Sequence, residues 1–276
     1  MIDTLTDIIS LPFMQRALLA GIFIGVLLAT LGVFVLIKKM AFFGDGVAHA
    51  SLAGIAIGLV GGFEPLPVAI IFAVIIALAM YWLERKSRLS SDAVVGIFFT
   101  ASLAAGVIIL SFQKAYQPDL VSFLFGNILA VTWAEAILII VLALVILLVL
   151  IILWRRLVLL SLDEDQARLQ GLRFHWLYVF LYIALAIAIV LGVKLIGVIL
   201  VSALLVIPTA AAKLLSRSFR GFVRGSIALS LLMVVIGLFL SFVLDLPAGA
   251  VIVLVGFFIF LLSLLLNSVF QKNAKV

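Results

Sequence analysis

Long runs of apolar residues are the feature that most constrains this chain. Nine such runs follow one another, separated by short and mostly polar connections. Each run is close to the roughly 20 residues that an α-helix needs to cross the hydrocarbon core of a bilayer. The runs occupy residues 17–37, 42–62, 66–83, 93–112, 133–153, 177–193, 195–212, 226–244 and 248–266.

The composition excludes an ordinary water-soluble domain. Of the 276 residues, 67% are hydrophobic and only 11% are charged, whereas soluble domains are about 45–50% apolar. In hydrocarbon, backbone polar groups must be paired within a helix or a closed barrel, and runs of this length are typical of helices. The sequence therefore predicts an all-α, polytopic membrane helix bundle.

The number of transmembrane helices is predicted to be eight or nine. Only Lys194 separates the runs 177–193 and 195–212, so these two runs form either one helix or two. Pro208 lies in the second run and is predicted to break or kink it, because proline lacks the amide hydrogen that a helix interior needs.

A single transmembrane domain is predicted over residues 17–266. Before it, residues 1–16 carry apolar side chains at helical spacing as far as Pro12, which is typical of a short helix lying in the membrane interface. After it, residues 267–276 are predicted to form a cytoplasmic tail.

Basic residues are distributed unevenly between the connections. The net charge is +6, and 15 of the 18 lysines and arginines fall in alternate connections. By the positive-inside rule, the side that carries them faces the cytoplasm, which predicts an N-terminus outside and a C-terminus inside. The bases lie between membrane-spanning runs and do not line one solvated face, so the expected partner is the lipid bilayer and not a nucleic acid.

Asp45 and His49 are the candidate functional pair. They lie four residues apart in a run that is otherwise free of charge, so a helix presents both on one face. Ionisable groups are costly inside a membrane and usually face a protein interior or a water-filled path. A carboxylate and an imidazole suit zinc or manganese. The pair therefore predicts a transient metal site on a transport path.

A purely structural interpretation of the same pair stays open. Aspartate is a common N-cap residue, so Asp45 could cap a helix at the membrane interface while His49 makes a hydrogen bond between helices. Asp92, which follows Ser91, is interpreted in the same way, as a cap at the start of a helix.

A polar stretch within the longest basic connection predicts a short cytoplasmic helix over about residues 161–171. Ser161 and Glu164 have the spacing of a capping box, acidic residues follow in the first turn, and Gly171 is placed to end the helix. Such a helix either receives the movement of a soluble motor or is a connector without a partner. The residues assigned to coupling are Ser161, Asp163, Glu164, Asp165, Arg168 and Gly171.

The chain lacks the residues that would cradle nucleotide phosphates. It contains no Gly-x-x-x-x-Gly-Lys-Ser/Thr motif, so ATP hydrolysis would have to take place in a separate subunit. It also contains no cysteine, which excludes thiolate metal ligands. Neither an enzymatic activity nor a stably bound cofactor is predicted.

Five stretches together resemble the metal-uptake ABC permease family, which imports zinc, manganese or iron. The first is Phe-Phe-Gly-Asp-Gly-Val-Ala-His-Ala-Ser-Leu-Ala-Gly, ending at Gly54. The other four follow in the family's order, and the resemblance covers about residues 13–266. It is closest to the zinc branch in two stretches, residues 123–132, which end at Thr132, and residues 245–249, which end at Gly249. The four later stretches are residues 122–129, 163–171, 195–212 and 241–249.

This resemblance implies the permease subunit of an ATP-driven importer that moves a divalent transition metal, zinc first, into the cytoplasm by alternating access. It further implies a homodimer in a bacterial cytoplasmic (inner) membrane, two copies of a cytoplasmic ATP-binding subunit and an extracytoplasmic metal-binding protein. Asp45 and His49 match the family's metal-pathway positions, and residues 161–171 match the segment that couples to the ATPase.

Other functions remain open from the residues alone. In a proton-coupled secondary transporter, Asp45 and His49 would form a proton relay. In an intramembrane enzyme they would act as acid and base or hold a metal, although the sequence shows no third polar group that converges on them. Manganese and ferrous iron are the alternatives to zinc, because all three metals accept nitrogen and oxygen ligands.

Overall fold

The computed structural model describes residues 8, 10–87, 89–111, 128–169 and 174–273. Within these residues the chain forms α-helices and one short 3₁₀ turn, Ile128–Ala130. The helices are α1 (Pro12–Ile37), α2 (Phe43–Gly61), α3 (Pro65–Ser87), α4 (Ser91–Ser111), α5 (Trp133–Leu162), α6 (Glu164–Leu169), α7 (Phe174–Leu215), α8 (Phe219–Leu244) and α9 (Ala248–Asn273).

Eight of the described helices, all except α6, are long and apolar enough to cross a membrane. The prediction of an all-α bundle with eight or nine membrane helices is confirmed. In their most apolar windows, α1, α2 and α7 bury 72–78% of their residues, whereas the other five bury at most 33%. Three interior helices are therefore surrounded by five outer ones, whose exposed apolar side chains suit contact with lipid.

Helix α7 contains both of the runs that only Lys194 separates. Gly197 interrupts the helix with φ 80° and ψ 165°, a conformation that is essentially restricted to glycine. The helix is interrupted at Gly197, whereas Pro208 sits within the helical second part. The predicted break at Pro208 is therefore wrong, and a kink there stays a prediction. A straight helix of 42 residues would be about 63 Å long, twice the thickness of the hydrocarbon core.

The two arms of α7, residues 174–196 and 198–215, pack against each other near the bend. A Cβ atom at Gly192 would lie 2.6 Å from Val201 Cγ2. In a continuous helix these two residues would be about 13 Å apart along the axis. The chain therefore folds back at Gly197.

Contacts at the two ends of α7 show the same reversal. At the start of the first arm, the Tyr178 hydroxyl accepts a hydrogen bond from Lys38. At the end of the second arm, Lys213 lines the same cavity as Leu36. Both ends of α7 therefore lie beside the end of α1, and α7 is a helical hairpin.

The end of the bundle that carries Lys38, Arg85 and Arg217 is named the basic end. Lys38 and Arg85 are joined there through shared contacts with Tyr178 and Glu164, and Arg217 lines the cavity beside Leu36 at the end of α1. Because α7 folds back, successive segments alternate in direction, so α1 starts at the opposite end and α9 finishes at the basic end.

Glu135 and Lys194 mark the opposite end of the bundle. Lys194 Nζ lies 3.1 Å from Glu135 Oε1. Glu135 also forms a capping box with Thr132 at the start of α5: the Thr132 amide donates to Glu135 Oε2 at 3.0 Å, and the Glu135 amide donates to Thr132 Oγ1 at 3.3 Å. The turn of the α7 hairpin is thus tied to the first turn of α5.

The terminal predictions fall partly outside the described residues. Helix α1 begins at Pro12, and residues 1–7 and 9 are not described, so the interfacial helix over residues 1–16 stays a prediction. Residues 267–273 continue α9, and the cytoplasmic placement of residues 267–276 likewise stays a prediction.

The short helix α6 begins later than predicted. Ser161 is not its N-cap, because α5 continues through Leu162 and keeps Leu157 and Leu160 buried. Asp163 leaves the helical region with φ −149° and ψ 98°, and its Oδ1 atom accepts a hydrogen bond from the Gln166 amide at 2.9 Å. Asp163 is therefore the N-cap of α6, and the interpretation of Ser161 and Glu164 as a capping box is wrong.

The bounds of α6 also place the other residues that were predicted to couple to an ATPase. Glu164 and Asp165 occupy the first turn of α6, where negatively charged side chains interact favourably with the helix dipole. Arg168 lies within α6. Gly171, predicted to end the helix, lies outside the described residues.

Helices α1 and α7 approach each other most tightly at Gly32. A Cβ atom there would lie 2.1 Å from the Leu205 carbonyl oxygen and 2.9 Å from Thr209 Cγ2. Only glycine fits at this distance. The contact holds the second arm of α7 against α1 and brings Ser202 towards the start of α2.

Gly32→Ala should separate α1 from the second arm of α7. Overpacking of a tight interior costs about 1–3 kcal/mol, so we expect the apparent melting temperature of the purified protein in detergent to fall by about 5 °C. The matched control is Gly106→Ala, at a buried helical glycine where the nearest atom would be 3.4 Å from the new Cβ. Equal melting temperatures for the two variants would contradict the close approach at Gly32.

Asp163→Ala should loosen α6, because it removes the side chain that caps the helix. Loss of an N-cap costs about 1 kcal/mol, so amide hydrogens in α6 should exchange about fivefold faster, as measured by hydrogen–deuterium exchange with mass spectrometry. Ser161→Ala is the control and should leave this exchange unchanged. Faster exchange in the Ser161 variant, with no change in the Asp163 variant, would support the predicted capping box of Ser161 and Glu164 instead.

Candidate functional site

Helix α2 presents Asp45 and His49 to one cavity of about 340 Å³. The cavity lies between the start of α2 and the start of α4. Both residues lie on the same face of α2, as their spacing predicted. The lining residues are Phe42, Asp45, Gly46, His49, Asp92, Val95, Gly96 and Phe99.

Asp45 is held by a residue from the α7 hairpin. Its Oδ1 atom accepts a hydrogen bond of 2.6 Å from the Ser202 hydroxyl. Phe42 occupies the N-cap position of α2, and Asp45 lies inside the helix. The alternative that Asp45 caps the helix is therefore wrong. Its carboxylate keeps a second oxygen that can accept a further bond or bind a cation.

His49 is fixed by packing at one face. Its ring meets Phe99 edge to face, with 4.6 Å between centroids and an interplanar angle of 76°. The Nδ1 atom is buried, and among the described residues it has no hydrogen-bond partner. A buried ring nitrogen without a partner costs about 1–3 kcal/mol, which is typical of a position kept for binding. The interhelical hydrogen bond that the structural interpretation assumed is not made by this nitrogen.

Asp92 is a third ionisable group on the cavity, and the sequence interpretation missed it. The cap at the start of α4 comes from Ser90, whose hydroxyl accepts a hydrogen bond of 3.3 Å from the Ala93 amide. Asp92 is therefore not the cap, and its exposed side chain lines the mouth of the cavity. Only contact between α2 and α4 could reveal this role, because 47 positions separate Asp92 from Asp45.

The described residues contain no complete metal site. No three histidine, cysteine, aspartate or glutamate side chains within them converge closely enough to hold one ion. Asp45 and His49 offer one oxygen and one nitrogen ligand, which leaves positions for water or for side chains from another chain. Such partial coordination suits an ion that passes through better than one that is stored.

The residues that the sequence predicted to couple to an ATPase lie at the basic end, as far as the structure describes them. Glu164 Oε1 accepts a hydrogen bond of 2.8 Å from Arg85 Nη2, and Glu164 Oε2 accepts one of 2.8 Å from the Tyr178 hydroxyl. These contacts fix α6 to the end of α3 and the start of α7. Asp165 is exposed, so it is accessible to a soluble partner.

Comparison with known proteins identifies the family. The model of the ABC-3 family, described as the ABC 3 transport family, matches residues 10–267. The high-affinity zinc uptake system membrane protein ZnuB of Haemophilus influenzae is 34% identical, over 90% of this chain and 95% of that protein. The manganese import system permease protein ScaB of Streptococcus gordonii is also 34% identical, over 91% of this chain and 90% of that protein.

A second relative named for manganese transport and one solved structure are also similar to this chain. The manganese transport system membrane protein MntC of Listeria innocua is 31% identical, over 96% of this chain and 95% of that protein. PsaBC from Streptococcus pneumoniae, solved in complex with Fab, superposes with a TM-score of 0.82 at 30% identity, over 94% of this chain and 93% of that one. The chain therefore belongs to the ABC 3 transport family and is a multi-pass membrane permease subunit of an ABC transporter.

Proposed function

We propose that this permease carries a divalent transition metal into the cytoplasm, with zinc as the preferred cargo and Asp45 and His49 as its ligands. The observation that supports this most is the site itself. The Asp45 carboxylate, held by Ser202, and the His49 imidazole line one cavity beside an interior helix. Among the described residues, the buried Nδ1 atom of His49 has no hydrogen-bond partner. Zinc and manganese both accept this pair of donors.

The incomplete donor set supports transit by alternating access. An ion held by two protein ligands and water leaves more easily than one in a closed four-ligand site. In a symmetric dimer a second copy would supply a second Asp45 and His49, and closure of the two copies would change how many ligands the ion has. Asp92, at the mouth of the cavity, would attract the cation as it enters or leaves.

The assembly we propose is a homodimer with two cytoplasmic ATP-binding subunits and an extracytoplasmic metal-binding protein. The excess of lysine and arginine supports placing the basic end in the cytoplasm. The ATP-binding subunits would then contact α6, and the metal-binding protein would dock at the opposite end, near Glu135 and Lys194. In this orientation the N-terminus lies outside a bacterial cytoplasmic membrane and the C-terminus inside.

Zinc and manganese are the two candidate cargoes. Zinc is supported by the resemblance of the stretches ending at Thr132 and Gly249 to the zinc branch. Manganese is supported by relatives named as manganese permeases, which are 31% and 34% identical to this chain. Zinc binds nitrogen and oxygen ligands more tightly than manganese does, which favours it at a site with few ligands.

Asp45→Asn and His49→Ala should each lower metal uptake by at least about tenfold, because each removes a ligand from a site that has few. The measurement is uptake of radioactive zinc into vesicles that contain the complete complex, supplied with ATP and loaded binding protein. Assembly should persist, since both side chains face a cavity and not the packed core.

Matched controls are Asp245→Asn and His175→Ala. Asp245 ends α8 in a left-handed conformation that asparagine also adopts, and His175 is the other histidine of the chain. Both controls should keep uptake within about twofold of the unchanged complex. Near-normal uptake by the Asp45 variant would reject the ligand assignment. Uptake by the chain alone, without an ATP-binding subunit, would reject the importer and favour a proton-coupled transporter.

Cargo preference is tested with the same vesicles. With the binding protein loaded with zinc or with manganese in turn, at equal and limiting concentration, we expect zinc to enter at least about tenfold faster, because its higher affinity for nitrogen and oxygen ligands gives it the higher occupancy of the site. Manganese uptake at an equal or higher rate would overturn zinc as the preferred cargo and leave the metal importer in place.

A further inference from the structure

A second polar cavity, of about 230 Å³, lies at the basic end beneath α6. Two cations, two carboxylates and three buried tyrosines meet in it, contributed by the α1–α2 connection and by helices α3, α6 and α7. Apart from Glu164, which belongs to α6, the proposed function gives these groups no role. The seven groups are Lys38, Glu84, Arg85, Glu164, Tyr81, Tyr178 and Tyr182.

One chain of contacts leads from α6 to the α1–α2 connection. The Tyr178 hydroxyl donates a hydrogen bond of 2.8 Å to Glu164 Oε2 and accepts one from Lys38 Nζ. The Lys38 ammonium also lies 4.5 Å from the centroid of the Tyr178 ring. Tyr178 therefore joins the first residue of α6 to the connection that precedes α2.

A second set of contacts starts from Tyr182, one turn further along α7. Its ring meets Phe43 edge to face at 5.2 Å between centroids, and its hydroxyl lies 3.6 Å from Met40 Sδ. The same hydroxyl donates to Glu84 Oε2 at 2.7 Å, and Glu84 Oε1 accepts a hydrogen bond from the Ser91 hydroxyl.

Both sets of contacts end at residues close in sequence to those that line the cavity of Asp45 and His49. Lys38 precedes Asp45 by seven residues, and Phe43 precedes it by two. Ser91 is the first residue of α4 and stands next to Asp92. The first set therefore joins α6 to the connection that leads into α2, and the second joins α7 and α3 to the starts of α2 and α4.

The surroundings make these contacts strong. Tyr178 is 6% exposed and Tyr182 is 3% exposed, so the hydrogen bonds are shielded from water and each is worth more than on a surface. Burial lowers the pKa of the Lys38 amino group, Glu164 and Glu84 oppose that change, and Arg85 adds to it. The charge on Lys38 is therefore best supported while Glu164 stays in place.

We propose that Tyr178 and Lys38 are positioning residues that transmit the movement of α6 to Asp45 and His49. This inference rests on the proposed function, because it assigns the path by which an ATP-driven movement at the basic end reaches the metal cavity. When α6 moves, Glu164 displaces Tyr178 and Lys38 through the hydrogen bonds that join them, and Lys38 displaces the start of α2.

The test is Tyr178→Phe in the complete complex, since this change keeps the ring and removes only the hydroxyl that joins Glu164 to Lys38. We expect the ATP-binding subunit to copurify in the usual amount and stimulated ATP hydrolysis to stay within about twofold. The number of metal ions imported per ATP hydrolysed should fall at least about fivefold, because the movement no longer reaches the cavity.

Tyr81→Phe is the matched control. Tyr81 is 5% exposed and lines the same cavity, and its hydroxyl is hydrogen-bonded to His175 Nδ1 at 2.8 Å. This control loses one buried hydroxyl but leaves the contacts between Glu164, Tyr178 and Lys38 in place. The ratio of metal to ATP should be unchanged.

A double-variant comparison separates transmission from simple stability. Lys38→Met alone should lower the ratio of metal to ATP as Tyr178→Phe does, and the two changes together should lower it no further. Additive losses, an unchanged ratio in Tyr178→Phe, or loss of the ATP-binding subunit from that variant would each overturn the inference. If the unchanged complex imports no metal with ATP, the proposed function itself fails, so the two failures are distinguishable.

Discussion

Hydrocarbon offers no hydrogen-bond partner to a peptide group, and the structure of this chain depends on that constraint. Every long element that the structure describes pairs its own backbone as a helix. Gly197 is the place where a membrane helix departs from that geometry, and its neighbours Ile196 and Val198 are only 3% and 4% exposed. The interruption is therefore enclosed by protein, where non-helical backbone is tolerated at membrane depth. The hairpin that results places Ser202 beside Asp45.

Hydrophobic run length and helical spacing were sufficient to predict the bundle and the shared face of Asp45 and His49, because both depend on residues close in sequence. Contacts between distant segments could not be predicted in this way. Ser202 bonds to Asp45 across 157 positions, and nothing local to either residue indicates the partner. The start of α6 was misplaced for a local reason: Ser161 has the right spacing for a cap, yet burial of Leu157 and Leu160 extends α5 beyond it.

The proposed importer contains two clusters of ionisable groups, and each suits a different task. The described lining of the cavity of Asp45 and His49 includes two carboxylates and no lysine or arginine, and the buried Nδ1 atom of His49 has no partner within the described residues. The cavity beneath α6 balances two cations against two carboxylates and ties them together with tyrosine hydroxyls. The first arrangement suits weak binding of a passing ion, and the second suits rigid connection between helices. The α1–α2 connection takes part in both.

The hairpin of α7 also bears on how the protein is made. A hairpin enters a bilayer as one unit, because either arm alone would leave the peptide groups around Gly197 facing lipid. In the proposed orientation, Lys194 lies close to the turn and crosses the membrane with it, which is costly for an unpaired cation. Its counter-ion Glu135 precedes it in the chain and stands at the start of α5. Because α5 precedes α7 in the chain, the carboxylate that pairs with Lys194 is synthesised before the turn that carries this lysine.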